Sequence, residues 1–150
     1  MLKNIPTCMS PDLLRALCAI GHGSKIMICD GNCDINTLGH EKAYRIRIDG
    51  VGGAEILKAI LQLIPLDDYI DNSVRICNTD NGIPAPDVWK DYEDIVRNSE
   101  EYYKLPNGIQ YLDDPDFWSV SKELDLVIAT GERDVYGNIF LQKGVIRKES

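Results

Sequence analysis

The chain has 150 residues, 44 % of them hydrophobic and 27 % charged, a balance that fits one globular domain with a true core and excludes a largely disordered chain. Its 16 basic residues stand against 24 acids, for a net charge of −8; so acidic a surface is repelled by phosphate backbones, and nucleic acid is not an expected partner. No apolar run approaches the roughly 18 residues that a membrane helix needs, and Met1 to Pro6 lacks the apolar stretch of a signal peptide, so the expected location is the cytoplasm, with no membrane partner.

The first helix is marked by Ser10 as cap, Pro11 at its first position and Asp12 at its positive end. Leu13, Leu14, Leu17 and Cys18 fall on one face, and Gly21 stops it. Lys25 to Cys29 reads as a short buried strand that ends in the turn Asp30-Gly31-Asn32. Ala43 to Asp49 alternates as a second strand, with Arg45 and Arg47 on a solvated face or in an ion pair. A glycine-rich turn leads to a helix over Ala54 to Ile64. Ser73 to Thr79 is a third strand, and Pro86 to about Tyr103 the longest helix, with Trp89, Tyr92, Val96 and Tyr103 near one stripe. A short strand at Ile109 to Leu112, a short helix at Asp116 to Glu123, and strands at Leu124 to Ala129 and Asn138 to Gln142 complete the chain. Strands and helices alternate throughout, which predicts one α/β domain, residues 1–150, with a mainly parallel sheet covered by helices. The last two strands are close enough in sequence for a hairpin-like pair.

The turn Asp49-Gly50-Val51-Gly52-Gly53 sits where a dinucleotide fingerprint would, but its third glycine position is Glu55, and no phosphate-binding lysine follows. No nucleotide cofactor is expected. Cys29 and Cys33 have the spacing of half a zinc site without the other half, so no metal is expected either; an odd count of five cysteines suits free thiols in a reducing compartment. His22 lies between Gly21 and Gly23, after a helix and before a strand. It is either a helix-terminal histidine that favours the dipole or an accessible proton-transfer group. His40 reads as exposed. Asp30 follows a strand end, where ligands of open α/β sheets gather, and shares a pocket with His22 only if the returning loop brings the two together. In the polar segment Thr130 to Asn138, Tyr136 and Asn138 point the same way if that segment is extended, and their phenol and amide suit sugar hydroxyls.

Together these pieces resemble one family, the small cytoplasmic sugar mutarotases that comprise L-fucose mutarotase and D-ribose pyranase. The likeness runs through Met1-Leu2-Lys3-x-Ile5-Pro6, Ser10-Pro11-x-Leu13-Leu14, Gly21-His22-Gly23-x-x-Ile26 and Asp30-x-Asn32. It continues in Arg47-x-Asp49-Gly50, Ala59-Ile60-Leu61, Pro65-Leu66-Asp67-x-Tyr69 and the closing Thr130-Gly131-Glu132-Arg133-x-x-Tyr136-Gly137-Asn138-Ile139-x-Leu141-x-Lys143-Gly144-Val145. The Gly-His-Gly opening and Tyr-Gly-Asn close are more like the fucose branch. The resemblance implies an isomerase that interconverts the anomers of a free monosaccharide, L-fucose first, by acid/base ring opening and closure. It implies His22 as the acid/base and sugar contacts at Asp30, Tyr136 and Asn138. It also implies a homo-oligomer with sites near subunit contacts. One further sugar-contacting position, Arg in the fucose branch and His in the ribose branch, falls on Asp114 here. That departure keeps two alternatives open: pyranase-type activity on another aldose, or a non-catalytic sugar-binding accessory protein of a transport system.

Overall fold

A computed structural model describes residues 1–149. The Ser10 hydroxyl caps α1 (Pro11–Ala19) by accepting from the Leu13 N–H at 3.1 Å. β1 (Lys25–Cys29), a single 3-10 turn (Ile35–Thr37) and β2 (Tyr44–Ile48) follow. Next come α2 (Gly53–Leu61), β3 (Val74–Cys77), α3 (Val88–Arg97) and a second 3-10 turn (Tyr102–Lys104). β4 (Gln110–Leu112), α4 (Asp114–Ser121), β5 (Leu126–Thr130) and β6 (Ile139–Gln142) close the order.

The six strands form one sheet in the order β2-β5-β1-β6-β3-β4. Pairing is parallel between β2 and β5, β5 and β1, and β3 and β4; β6 runs antiparallel to both of its neighbours, β1 and β3. Five strands therefore share one direction, which is the mainly parallel sheet that the alternating elements predict. Along β1 the side chains serve both faces. Ile26 and Ile28 join Leu13, Leu17, Ile56, Ile60 and Tyr92 under α1, α2 and α3. Met27 and Cys29 join Phe117, Val127 and Phe140 under α4 and the first 3-10 turn. Burial on both faces explains why this strand reads as a continuous apolar run.

The expected hairpin of the last two strands does not form. β1 lies between them, with Ile28 level with Ile128 on one side and with Ile139 on the other. The polar segment 131–138 is too long for a tight turn and instead crosses the end of β1. It is held there by the Gly31 N–H on the Glu132 carbonyl (2.7 Å) and the Asp30 N–H on the Asn138 side-chain oxygen (2.8 Å). Gly131 passes so close to the loop after β2 that a β-carbon there would run into the Asp49 carbonyl. The longest helix also stops early. The Asn98 side-chain amide turns back onto the Asp94 carbonyl at 2.8 Å, α3 ends at Arg97, and Tyr103 stands exposed rather than on the buried stripe.

Candidate functional site

The carboxyl ends of β1 and β3, with α4 and the segment that leads into β6, surround a cavity of about 310 Å³. Asp30, Asp114, Tyr136 and Asn138 all line it. A larger groove of about 470 Å³ runs between α2 and α3, lined by Lys58, Gln62, Asp94 and Asn98. The smaller cavity is the better site, because only it receives polar side chains that are buried and not fully bonded.

Asp30 is 4 % and Asn138 9 % exposed. One Asp30 carboxylate oxygen accepts the Asn32 N–H at 2.9 Å, while the Asp30 N–H donates to Asn138 Oδ1 at 2.8 Å. That bond fixes the amide so that its NH₂ is left as a donor, and the second Asp30 oxygen is left as an acceptor, neither with a partner among the described residues. The Tyr136 hydroxyl donates to Asp80 Oδ2 at 2.8 Å, which commits its proton and turns its lone pairs outward; the neighbouring carboxylate raises the phenol's pKa. Tyr136 and Asn138 do converge, but not along an extended chain: Tyr136 is left-handed (φ 66°), and its carbonyl is pinned by the Trp89 indole N–H at 2.8 Å. Asp114 is at the exposed rim, where it accepts from the Trp118 indole N–H at 3.1 Å, and Trp118 borders the same cavity. Cys77 lies in the wall with its thiol pushed up to about 12, first by burial and then by the charges of Asp114, Asp80 and Asp113.

His22 lies elsewhere. It precedes β1, whereas Asp30 follows it, and β1's five residues, at about 3.3 Å each, separate them by at least about 16 Å. The returning loop does not bring the two together. Nor does His22 serve the end of α1: Lys143 does, donating from Nζ to the Leu17 and Ile20 carbonyls at 2.8 and 2.7 Å. Instead His22 Nε2 meets Asp67 Oδ1 at 3.1 Å, while the side chain stays 44 % exposed. Burial alone would raise the Asp67 pKa, but the Tyr69 N–H, the Gln142 amide and the His22 imidazole outweigh it and bring it below the ordinary carboxylate value. An ionised Asp67 only accepts, so Nε2 carries a hydrogen, and in the neutral ring Nδ1 keeps its lone pair. Tyr69 packs against the ring at 4.9 Å between centroids and is itself held by Arg147.

Sequence reasoning missed Asp67 as the partner of His22, although Pro65-Leu66-Asp67-x-Tyr69 is a motif of the family resemblance. It missed Asp80 as a pocket residue outright, since nothing local marks it, and singled out Cys33 only for its spacing from Cys29. His40 is half-buried and bonded to Asp125 at 2.9 Å rather than free in solvent. Arg45 serves structure, donating to the carbonyls of Ile35, Leu38, His40 and Ala43, while Arg47 pairs with Asp49. At the glycine-rich turn the Glu132 carboxylate reaches the N-terminus of α2, 3.4 Å from the Gly53 N–H, and a β-carbon at Gly53 would strike the Tyr92 hydroxyl. An acid thus occupies the place of a phosphate.

Fold and cavity together define a small α/β protein with a polar pocket at the strands' carboxyl ends. The chain belongs to the RbsD / FucU transport protein family, whose pattern matches residues 3–146. It is 34 % identical over 150 residues to human fucose mutarotase, covering 97 % of this chain and 94 % of the human one. Among solved structures it is similar to the Streptococcus pneumoniae fucose mutarotase in complex with L-fucose (39 % identity, TM-score 0.86, 97 % of this chain and 100 % of that one). Bacillus subtilis RbsD complexed with D-ribose shares the fold at 22 % identity, with a TM-score of 0.69 over 98 % of this chain and 100 % of that one.

Proposed function

We propose that this chain is an aldose mutarotase that interconverts the anomers of L-fucose. One observation carries the reading: Asp30 and Asn138, buried and with unspent hydrogen-bonding capacity, meet in a monosaccharide-sized pocket of a chain similar end to end to a fucose mutarotase solved with L-fucose. Asp30 accepts from one sugar hydroxyl and the Asn138 amide donates to another. Tyr136, its proton held by Asp80, accepts from a third.

Mutarotation then needs two proton transfers. A base takes the proton of the anomeric hydroxyl while an acid protonates the ring oxygen. The C1–O5 bond breaks to give the open-chain aldehyde, the C1–C2 bond rotates, and the ring hydroxyl attacks the other face of the carbonyl. His22 is the proposed proton-transfer group, with its Nδ1 lone pair turned outward by Asp67. Because His22 and the pocket occupy opposite ends of β1, the working site is built between two copies: the pocket of one and His22 of the partner subunit. The outward exposure of His22 and of Tyr69 beside it supports this homo-oligomeric arrangement. The described residues contain no helix long and apolar enough to cross a membrane, and the five cysteines are free, which agrees with a cytoplasmic setting.

A sugar-binding protein without catalysis is the second reading, favoured by the lack of an imidazole in the pocket of a single chain. Saturation-transfer NMR on the anomeric protons of L-fucose separates the two. Enzyme at catalytic concentration transfers saturation between the α and β resonances if the mutarotase reading holds. Binding without any transfer supports the second reading and overturns the first.

A further inference from the structure

A buried ion pair stands behind the loop that carries Asp67. Lys104, the last residue of the second 3-10 turn, is 8 % exposed, and its Nζ meets Glu101 Oε2 at 2.6 Å. The two charges also reach the backbone. Glu101 Oε2 accepts the Leu66 N–H at 3.2 Å, and Lys104 Nζ donates to the Leu66 carbonyl at 3.1 Å. Those two backbone groups need partners. Leu66 lies opposite Lys143 in an antiparallel bridge just beyond β6. The bonds across that bridge are made by its neighbours, the Gly144 N–H on the Pro65 carbonyl at 2.8 Å and the Asp67 N–H on the Gln142 carbonyl at 3.0 Å. The N–H and carbonyl of fully buried Leu66 therefore point away from β6. Where a further strand would answer them, a carboxylate serves as the acceptor and an ammonium as the donor.

The consequence falls on Asp67. Its peptide bond to Leu66 is held on both sides, the carbonyl by Lys104 and the N–H by the Gln142 carbonyl. The plane from which the Asp67 side chain departs is thereby fixed. Asp67 in turn meets His22 Nε2 with Oδ1 at 3.1 Å and the Gln142 amide with Oδ2 at 2.9 Å. A buried ion pair adds little stability over an apolar pair of similar volume, whereas apolar side chains could not hold the Leu66 peptide. We propose that Glu101 and Lys104 are positioning residues for proton transfer: they fix the Leu66–Asp67 peptide and, through Asp67, the His22 imidazole. The kinetic half of this inference rests on the mutarotase reading; the structural half does not.

The test removes the clamp without leaving a buried charge. Lys104→Met/Glu101→Gln keeps the bulk and an acceptor for the Leu66 N–H but frees the Leu66 carbonyl. Glu101→Gln alone keeps both bonds to Leu66 and is the conservative control. In 15N-edited NMR of the whole protein, the His22 Nε2 proton should exchange with water roughly tenfold faster in the double variant than in the native sequence, and near the native rate in Glu101→Gln. That readout needs no catalysis, so a failure of the mutarotase reading is told apart from a failure of this one. In anomer exchange on L-fucose, kcat should fall by roughly tenfold with KM unchanged, because the pocket lies at the other end of β1. Asp67→Asn already removes what the clamp positions, so adding the double variant to it should cost nothing more. A native His22 signal in the double variant, an equal loss in Glu101→Gln, or losses that multiply with Asp67→Asn overturns the proposal. Should the double variant not fold, Glu101→Ala frees the Leu66 N–H instead, at a side chain nearer the surface (19 % exposed), and takes the same readouts.

Discussion

The two ends of β1 carry opposite kinds of chemistry. At the carboxyl end, Asp30, Asp80, Asp114, Tyr136 and Asn138 make a concave, acceptor-rich pocket. It can hold a sugar by its hydroxyls but offers no imidazole to move a proton at neutral pH. At the amino end, His22 is bonded to Asp67 and flanked by Tyr69, with its side chain half in solvent. Each end has what the other lacks, and the strand between them is rigid and buried. The contrast is what motivates the proposal of two half-sites in one chain, joined by a second copy.

The largest expected effect comes from removing the proton-transfer half. His22→Ala should lower anomer exchange by roughly 10²-fold or more, the ordinary contribution of a positioned acid–base group, without disturbing a side chain that is half in solvent. Full exchange in a folded His22→Ala protein breaks the comparison. A smaller loss is expected when His22 stays but its orientation goes. Asp67→Asn keeps the shape while replacing the ionised acceptor, and exchange should fall by about tenfold. The same variant has a stability signature. A carboxylate whose folded pKa is depressed stabilises the fold above its unfolded value, near 3.8, and loses that contribution as the pH falls through the lower folded value. Thermal melts of the native sequence and of Asp67→Asn should therefore differ at neutral pH and draw together in the acid range; parallel melts across that range contradict the assignment.

The smallest effect belongs to the pocket's rim. By the family resemblance Asp114 is proposed to stand where the fucose branch has a cation, but it is exposed and already bonded to Trp118. Changing it should shift the ranking of aldoses by only about 0.5–1.5 kcal/mol, less than for a buried partner. Asp114→Arg should favour L-fucose over other aldoses, and Asp114→Ala should flatten the ranking. Competition NMR across a panel of sugars measures both, and an unchanged ranking places Asp114 outside the sugar's reach.

Most of the fold was legible because its signals are local. The Ser10-Pro11 start, the KIMIC run and the strand read at Leu124 to Ala129, found at Leu126–Thr130, declare themselves by capping and burial. Strand order was not legible: β6 pairs with β1 across more than a hundred residues and with β3 across more than sixty, and no turn residue announces either pairing. The pocket half of the site was readable, because strand ends in α/β sheets collect ligands and four of the named residues arrive there. The link between His22 and Asp67 was hidden by a separation of 45 residues. The sequence left a shared His22–Asp30 pocket conditional on a returning loop, and the condition fails because β1 lies extended between the two and carries them to opposite ends of the strand.

The most direct test of the two-half-site account mixes two inactive proteins. His22→Ala keeps the pocket and loses the proton-transfer group; Asn138→Ala keeps His22 and loses a sugar contact. Each should be nearly silent alone in the anomer-exchange assay. Unfolded and refolded together in equal amounts, they should regain activity at about a quarter of the sites, where an intact pocket meets an intact His22 from the partner subunit. Mixtures that stay as silent as their components, although size-exclusion chromatography shows that the two variants co-assemble, would contradict a site shared between copies.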